Sequence, residues 1–244
     1  MKRYLFCISF NGTNYCGWQV QKNGISVQEV VQDAIERVVG FRGDVVSCSR
    51  TDAKVHANNF YFHMDLSIKI EIEKLKFAIN NALPLDICLK EIKIVDKSFH
   101  ARYSVKRKEY IYKIWNKNVR NPFLKGLVLN YNFKIDLEKI KKAAKFFLGK
   151  HNFTSFCNVK SDVQDKVRTI YSIDIFFEGD ILIFKIVGDG FLYNMVRIIV
   201  GTLLEVSEGK IDVLDIEKII EKKDRKYAGK TVKADGLYLN NVIY

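Results

Sequence analysis

The residue best placed to do chemistry is Asp52, in the stretch Ser49-Arg50-Thr51-Asp52-Ala53-Lys54-Val55-His56-Ala57. An apolar run, Val45-Val46-Ser47-Cys48, precedes it, and an alternating run, Phe60-Tyr61-Phe62-His63-Met64, follows. Both read as strands, so the carboxylate sits in a tight polar connection with the Arg50 cation just before it. Loops held by a scaffold are where reactive groups are presented. An ionised carboxylate there can act as a nucleophile or steady a developing positive charge. No Gly-rich phosphate loop, His/Cys ligand cluster or Ser-His-Asp order competes with it.

A second charge is conspicuous by its surroundings. Arg197 lies within Phe191-Leu192-Tyr193-Asn194-Met195-Val196-Arg197-Ile198-Ile199-Val200. A guanidinium among so many apolar residues either snorkels to the surface or pairs with a carboxylate. Tyr110, in Lys106-Arg107-Lys108-Glu109-Tyr110-Ile111-Tyr112, stands beside cations. That mixture suits phosphate contact with base stacking, although an ordinary strand tyrosine is the commoner case. Phe99-His100-Ala101-Arg102-Tyr103-Ser104 offers a further pairing of cation and aromatic. His56, His63, His100 and His151 lack the spacing of metal ligands and read as packing or hydrogen-bonding residues.

The elements that must position these residues follow from periodicity. Lys2 to Asn11 reads as a strand. Ser26 and Glu29 form a capping box for a helix from Ser26 to Val39. Two strands flank Asp52, a helix over Glu71 to Leu83 stops at Pro84, and Ile87 to Val95 alternates. The order is β-α-β-β-α-β, the split-βαβ pattern. The second half starts again: strands at Glu109 to Trp115 and Leu127 to Tyr131, then a helix over Leu137 to Leu148 capped by Asp136. A hairpin joins Arg168–Phe177 to Ile181–Val187 across Glu178-Gly179-Asp180, and a buried helix covers Leu192 to Val206. A helix over Val213 to Lys222 and a strand over Gly236 to Tyr244 complete it. The expected fold is α+β: two split-βαβ halves, residues 1–98 and 99–244, sharing an extended, mainly antiparallel sheet with a central basic cleft.

Bulk properties narrow the function. The chain has 244 residues and is 48% hydrophobic, so it is not disordered. Its 40 Lys+Arg against 28 Asp+Glu leave a formal charge of +12, as expected of a protein that meets a polyanion such as nucleic acid. The 5 cysteines are odd in number and scattered. Cys7, Cys48 and Cys88 fall in apolar runs and read as buried thiols of a reducing compartment. Nothing resembles a signal peptide or an 18-residue apolar span, so the cytoplasm is the default and no membrane contact is expected.

Taken together the motifs resemble the tRNA pseudouridine synthase A family nearly end to end. The matching segments are Phe10-Asn11-Gly12-Thr13-Asn14-Tyr15-Cys16-Gly17-Trp18-Gln19, Arg50-Thr51-Asp52-Ala53 with Val55-His56-Ala57, and Phe99-His100-Ala101-Arg102-Tyr103-Ser104 with Tyr110. Gly149-Lys150-His151-Asn152-Phe153-Thr154-Ser155-Phe156-Cys157, the helix from Phe191 to Val206, Ala228-Gly229-Lys230-Thr231 and Gly236-Leu237-Tyr238-Leu239 continue the likeness in order. Lys54 and Ser49 stand where the family commonly has glycine. A glycine at such a position allows positive φ or close approach of RNA, and Lys54 offers a phosphate contact instead.

The resemblance implies isomerisation of uridine to pseudouridine in the anticodon stem-loop of tRNA (positions 38, 39 and/or 40), by a homodimer needing neither cofactor nor metal. It makes Asp52 the catalytic carboxylate, Tyr110 the residue stacked on the target uracil, and Arg197 the partner of Asp52. Arg50, Lys54, His56, Arg102, Arg107 and Lys108 form the implied RNA-contacting set. Two other readings stay open at the level of sequence. One is a pseudouridine synthase with a shifted RNA target; the other is a non-catalytic RNA-binding protein.

Overall fold

A computed structural model describes residues 1–22 and 24–244. In chain order its strands are β1 Lys2–Phe10, β2 Val46–Ser47, β3 His56–Leu66, β4 Ile87–Val95, β5 Arg107–Trp115, β6 Leu129–Asn130, β7 Gly149–Asn152, β8 Val167–Glu178, β9 Ile181–Gly188 and β10 Leu237–Ile243. The α-helices are α1 Val27–Val39, α2 Ile72–Ala82, α3 Leu137–Ala144, α4 Met195–Ser207 and α5 Asp215–Lys222. The chain is α+β with mainly antiparallel strand pairing, as the periodicity predicts.

Met1–Lys106 with Tyr238–Tyr244 form one compact unit, and Arg107–Leu237 form the other. The division therefore falls after Lys106, later than the expected break after residue 98, and the last strand returns to the first unit. Hydrogen bonds explain the shift. Ala101 N–H donates to His63 Nδ1 at 3.1 Å, and Arg3 Nη1 donates to the Phe99 carbonyl at 2.8 Å. The Tyr244 hydroxyl donates to the Ala101 carbonyl at 2.9 Å. These tie residues 99–101 to β1, β3 and the end of β10.

In the first unit β4, β1 and β3 lie side by side, antiparallel throughout. β2 pairs antiparallel with β3 at Val46–His63 and Ser47–Phe62, which completes the 4-1-3-2 order of a split-βαβ unit. β10 joins β3 in parallel at its start, with Tyr238 opposite His56 and Leu239 opposite Ala57. Alternation along β1 and β3 buries Phe6 and Phe62, whose rings stack 4.8 Å apart. α1 starts where the sequence says, with Ser26 Oγ accepting from Glu29 N–H at 3.2 Å. Cys7 and Cys48 are buried as expected, but Cys88 is exposed. It sits between the buried Ile87 and Leu89, so the two-residue period of β4 turns it outward.

The second unit repeats the pattern through β5, α3, β8, β9 and α4, with β9 between β5 and β8. β7 adds to the far side of β8, with Gly149 opposite Ile170. α4 is buried along most of its length and lies hard against the chain that follows α5. A Cβ on Gly201 would stand 1.8 Å from the Lys230 carbonyl oxygen. Thr202 Oγ1 donates to the Ile198 carbonyl and accepts from Gly229 N–H at 2.9 Å. Glycine at 201 and 229 is what permits this approach.

His63 gives the first unit a pH limit. Burial, with help from the Arg3 charge, lowers its pKa from 6.5 to about 4, and its Nδ1 must stay unprotonated to accept from Ala101. The folded state thus prefers the neutral ring. That preference stabilises the fold above pH 6.5 and is lost as the pH falls toward 4. The melting temperature should fall across this window, and His63→Asn, whose amide oxygen can accept the same bond, should show a shallower fall. Thermal melts at stepped pH check it; identical slopes for both proteins would refute it.

Candidate active site

Arg50, Asp52 and Lys54 all lie in the connection between β2 and β3. Val55 N–H donates to the Asp52 carbonyl at 3.2 Å and closes a turn. Lys54, the third residue of that turn, has φ of 66°, in the left-handed region that costs a non-glycine residue about 1–2 kcal/mol. The turn persists because it is held from outside. Lys54 N–H donates to the Tyr15 carbonyl at 3.2 Å, and Trp18 N–H donates to the Thr51 carbonyl at 3.1 Å.

The holding segment is 12–18, and its glycines are there for contact. A Cβ on Gly12 would stand 2.0 Å from the Val55 carbonyl oxygen; one on Gly17, at φ 108°, would stand 2.5 Å from that of Thr51. No larger residue allows two backbones so close. Trp18 is buried, with its ring 4.2 Å from Phe60 on β3. The Tyr15 hydroxyl donates to Asp86 Oδ1 at 2.5 Å, just before β4. Burial and the Asp86 carboxylate push the pKa of Tyr15 up, so it stays a donor. The loop is thereby fixed to both β3 and β4. Sequence alone marks Phe10–Gln19 as a motif without a role; its holding function lies in contacts to a segment far along the chain.

Within this frame Asp52 is half-buried, while Arg50 and Lys54 are exposed. Thr51 is 7% exposed, and its Oγ1 has no hydrogen-bond partner among the described residues. His56 is 1% exposed. Its Nδ1 accepts from Gly12 N–H at 3.0 Å, and its ring stacks on Tyr238 with centroids 4.5 Å apart. It roots the loop at the start of β3. Arg102 is exposed but lies elsewhere in the unit. Its neighbour Ala101 contacts His63, seven residues along β3 from His56, or about 23 Å of strand.

The remaining candidates belong to the second unit. Tyr110 is buried on β5 opposite Ile186, and its ring meets Phe191 edge-on at 5.1 Å. Arg107, exposed at the start of β5, lies over the Tyr171 ring at 4.6 Å. Lys108 is half-buried opposite Gly188. Arg197 on α4 is half-buried, and does not simply snorkel. Its Nε donates to the Val232 carbonyl and its Nη1 to Asn194 Oδ1, both at 2.8 Å. Phe191, the residue against Tyr110, lies shortly before α4 on the same segment. Among the described residues no group of His, Cys, Asp and Glu could hold a metal ion, and no helix is long and apolar enough to cross a membrane.

A backbone-clasped turn presenting one half-buried carboxylate, on a split-βαβ unit of a basic chain, defines a carboxylate-presenting α+β protein. Comparison with known proteins narrows this. Residues 143–244 match the family described as tRNA pseudouridine synthase. The chain is 43% identical over 244 residues to tRNA pseudouridine synthase A of Clostridium acetobutylicum, covering 100% of both. It is 43% identical over 245 residues to that of Anoxybacillus flavithermus, covering 100% of this chain and 99% of the other. It is 40% identical over 247 residues to tRNA pseudouridine synthase A 1 of Bacillus cereus, with the same coverage. The chain belongs to the tRNA pseudouridine synthase A family.

The left-handed turn makes residue 54 a test of loop energetics. Asparagine tolerates positive φ better than lysine, and a β-branched residue hardly at all. Lys54→Asn is expected to melt about 1–2 °C higher than wild type and Lys54→Val several degrees lower, at about 2–4 °C per kcal/mol for this size. Calorimetry measures both; the reverse order would show that the turn is unstrained.

Proposed function

We propose that this chain isomerises uridine to pseudouridine in the anticodon stem-loop of tRNA, at positions 38, 39 and/or 40, with Asp52 as its catalytic carboxylate. The observation that carries the assignment of Asp52 is the clasp of segment 12–18 on the turn over Asp52–Val55. A strained turn held this firmly presents its carboxylate with little freedom, as a reacting group requires. Membership of the family, at about 40% identity over the whole chain, supports the reaction.

In the reaction the N1–C1′ bond breaks, the freed base turns, and C5 joins C1′. The proton on C5 is lost and N1 gains one, so atoms and electrons balance within the nucleoside. The base must leave its helix first, at a cost of a few kcal/mol. An ionised Asp52 can attack C1′, steady charge at C1′ while an elimination intermediate forms, or add to C6 of the base. Each needs the carboxylate charged and aimed. Arg197 pairs with Asp52 in this reading and keeps it ionised. Tyr110 stacks on the target uracil, while Arg50, Lys54, Arg102, Arg107 and Lys108 face the RNA backbone. His56, buried beneath the loop, serves by positioning the turn rather than by touching RNA. The enzyme works as a homodimer, as the family resemblance implies. It works in the cytoplasm, where free thiols such as its cysteines are stable.

Asp52→Asn should cut pseudouridine formation on unmodified tRNA at least about a thousandfold and leave tRNA affinity within a few-fold, since a carboxylate repels phosphate. Chemical mapping of pseudouridine on tRNA treated with each protein measures it, and equal product from both would end the assignment. Arg197→Ala should lose activity and stability together. Two hydrogen bonds from its guanidinium are removed, worth about 1.5–3 kcal/mol each for a charged donor. Wild-type melting and turnover in this variant would refute the role of Arg197.

A further inference from the structure

Tyr103 is 78% exposed, yet it is not a loose surface residue. One face of its ring stacks on His100, with centroids 4.3 Å apart and planes 29° apart. His100 in turn is locked: its Nδ1 accepts from the backbone N–H groups of Arg102 and Tyr103 at 3.2 Å. His100 N–H donates to Ser104 Oγ at 3.0 Å, and Ser104 N–H donates back to the His100 carbonyl at 2.9 Å. A bond to His63 and bonds from Tyr244 and Arg3 anchor the same turn to the sheet. The fold spends many contacts on holding an aromatic ring out in solvent, where exposed apolar area is unfavourable.

A rigid, exposed aromatic loses little entropy when something stacks on it. The surrounding charge says what that is. Residues 96–106 carry Lys97, Arg102 and Lys106 against one carboxylate, Asp96, which accepts from Ser98 N–H at the far end of the segment, and the Arg102 guanidinium stands 5.9 Å from the Tyr103 ring. A flat π-face bordered by cations matches a nucleobase with its phosphate. An apolar protein surface would leave those cations stranded.

We propose that Tyr103, backed by His100 and flanked by Arg102, is a stacking platform for an unpaired base of the RNA substrate, remote from the reacting uridine. This rests on the tRNA reading above. The platform and the Asp52 loop are separated by about 23 Å of β3, so the base held here cannot be the one that isomerises. Its contribution is to binding and register and not to the chemical step.

The test measures tRNA dissociation constants, together with kcat and KM for a full-length tRNA transcript, on wild type and four variants. Tyr103→Ala and Tyr103→Leu should weaken binding about 5- to 100-fold, from the worth of one stacked base. KM should rise in parallel and kcat should stay within about twofold. Tyr103→Phe and Tyr103→Trp should bind as wild type does, because the π-face is kept. Wild-type affinity in both Tyr103→Ala and Tyr103→Leu would overturn the proposal, as would a loss confined to kcat. Sedimentation of the same proteins serves as a control: a change of oligomeric state in Tyr103→Leu would assign the ring to a contact between copies of the chain, and also overturn it. A wild-type protein that forms no pseudouridine would instead defeat the functional reading itself.

Discussion

Everything at the site depends on two backbones touching. The chain at Gly12 and Gly17 comes so near the carbonyls of Val55 and Thr51 that a single methyl group would part them. The two hydrogen bonds made there, from Trp18 and Lys54, are ordinary in strength, each worth about 1 kcal/mol net. Their effect is geometric. They fix the backbone on both sides of Asp52 in a turn whose third residue would not choose its own dihedral angle. Aromatic packing below, Trp18 on Phe60, supplies the stability that offsets the strain.

The same division of labour runs through the rest of the molecule. Alternating strands bury large aromatics, and the loops at their ends carry charge. In the second unit α4 is held against the segment around Lys230 by a close approach that again requires glycine; Arg197 spans that contact with one hydrogen bond to the Val232 carbonyl and makes a second to Asn194 at the head of its own helix. Cations are abundant, and some of them serve the scaffold: Arg3 pairs with Asp65 and donates to the carbonyls of Lys97 and Phe99. The net positive charge is therefore partly scaffold and partly available to a polyanion.

Local signals in the sequence reveal local structure. The Ser26–Glu29 cap, the hairpin around Gly179 and the alternation of β4 each depend on neighbours within a few residues, and each is legible. Asp52 stands out because of its setting between two strand-like runs. What escapes is long-range. Nothing near Tyr238 announces that its strand pairs with β3, nothing near Gly17 names Thr51, and β7 is too short and polar to show a period. His56 looks like a loop residue until its partners, Gly12 and Tyr238, arrive from opposite parts of the chain. The positive φ of Lys54 has no signature in lysine itself; only the glycine usual at that place in the family hints at it.

The parallel pairing of β10 with β3 has an effect on the order of events in the cell. A ribosome delivers Met1–Lys106 long before Tyr238–Tyr244, so the nascent first unit waits with the beginning of β3 uncovered and His56 lacking its stacking partner. The Asp52 loop is rooted there. A polypeptide at that stage already carries the Asp52 loop and its clasp from segment 12–18, and the Tyr238 ring that braces His56 is the last of the loop's supports to be made.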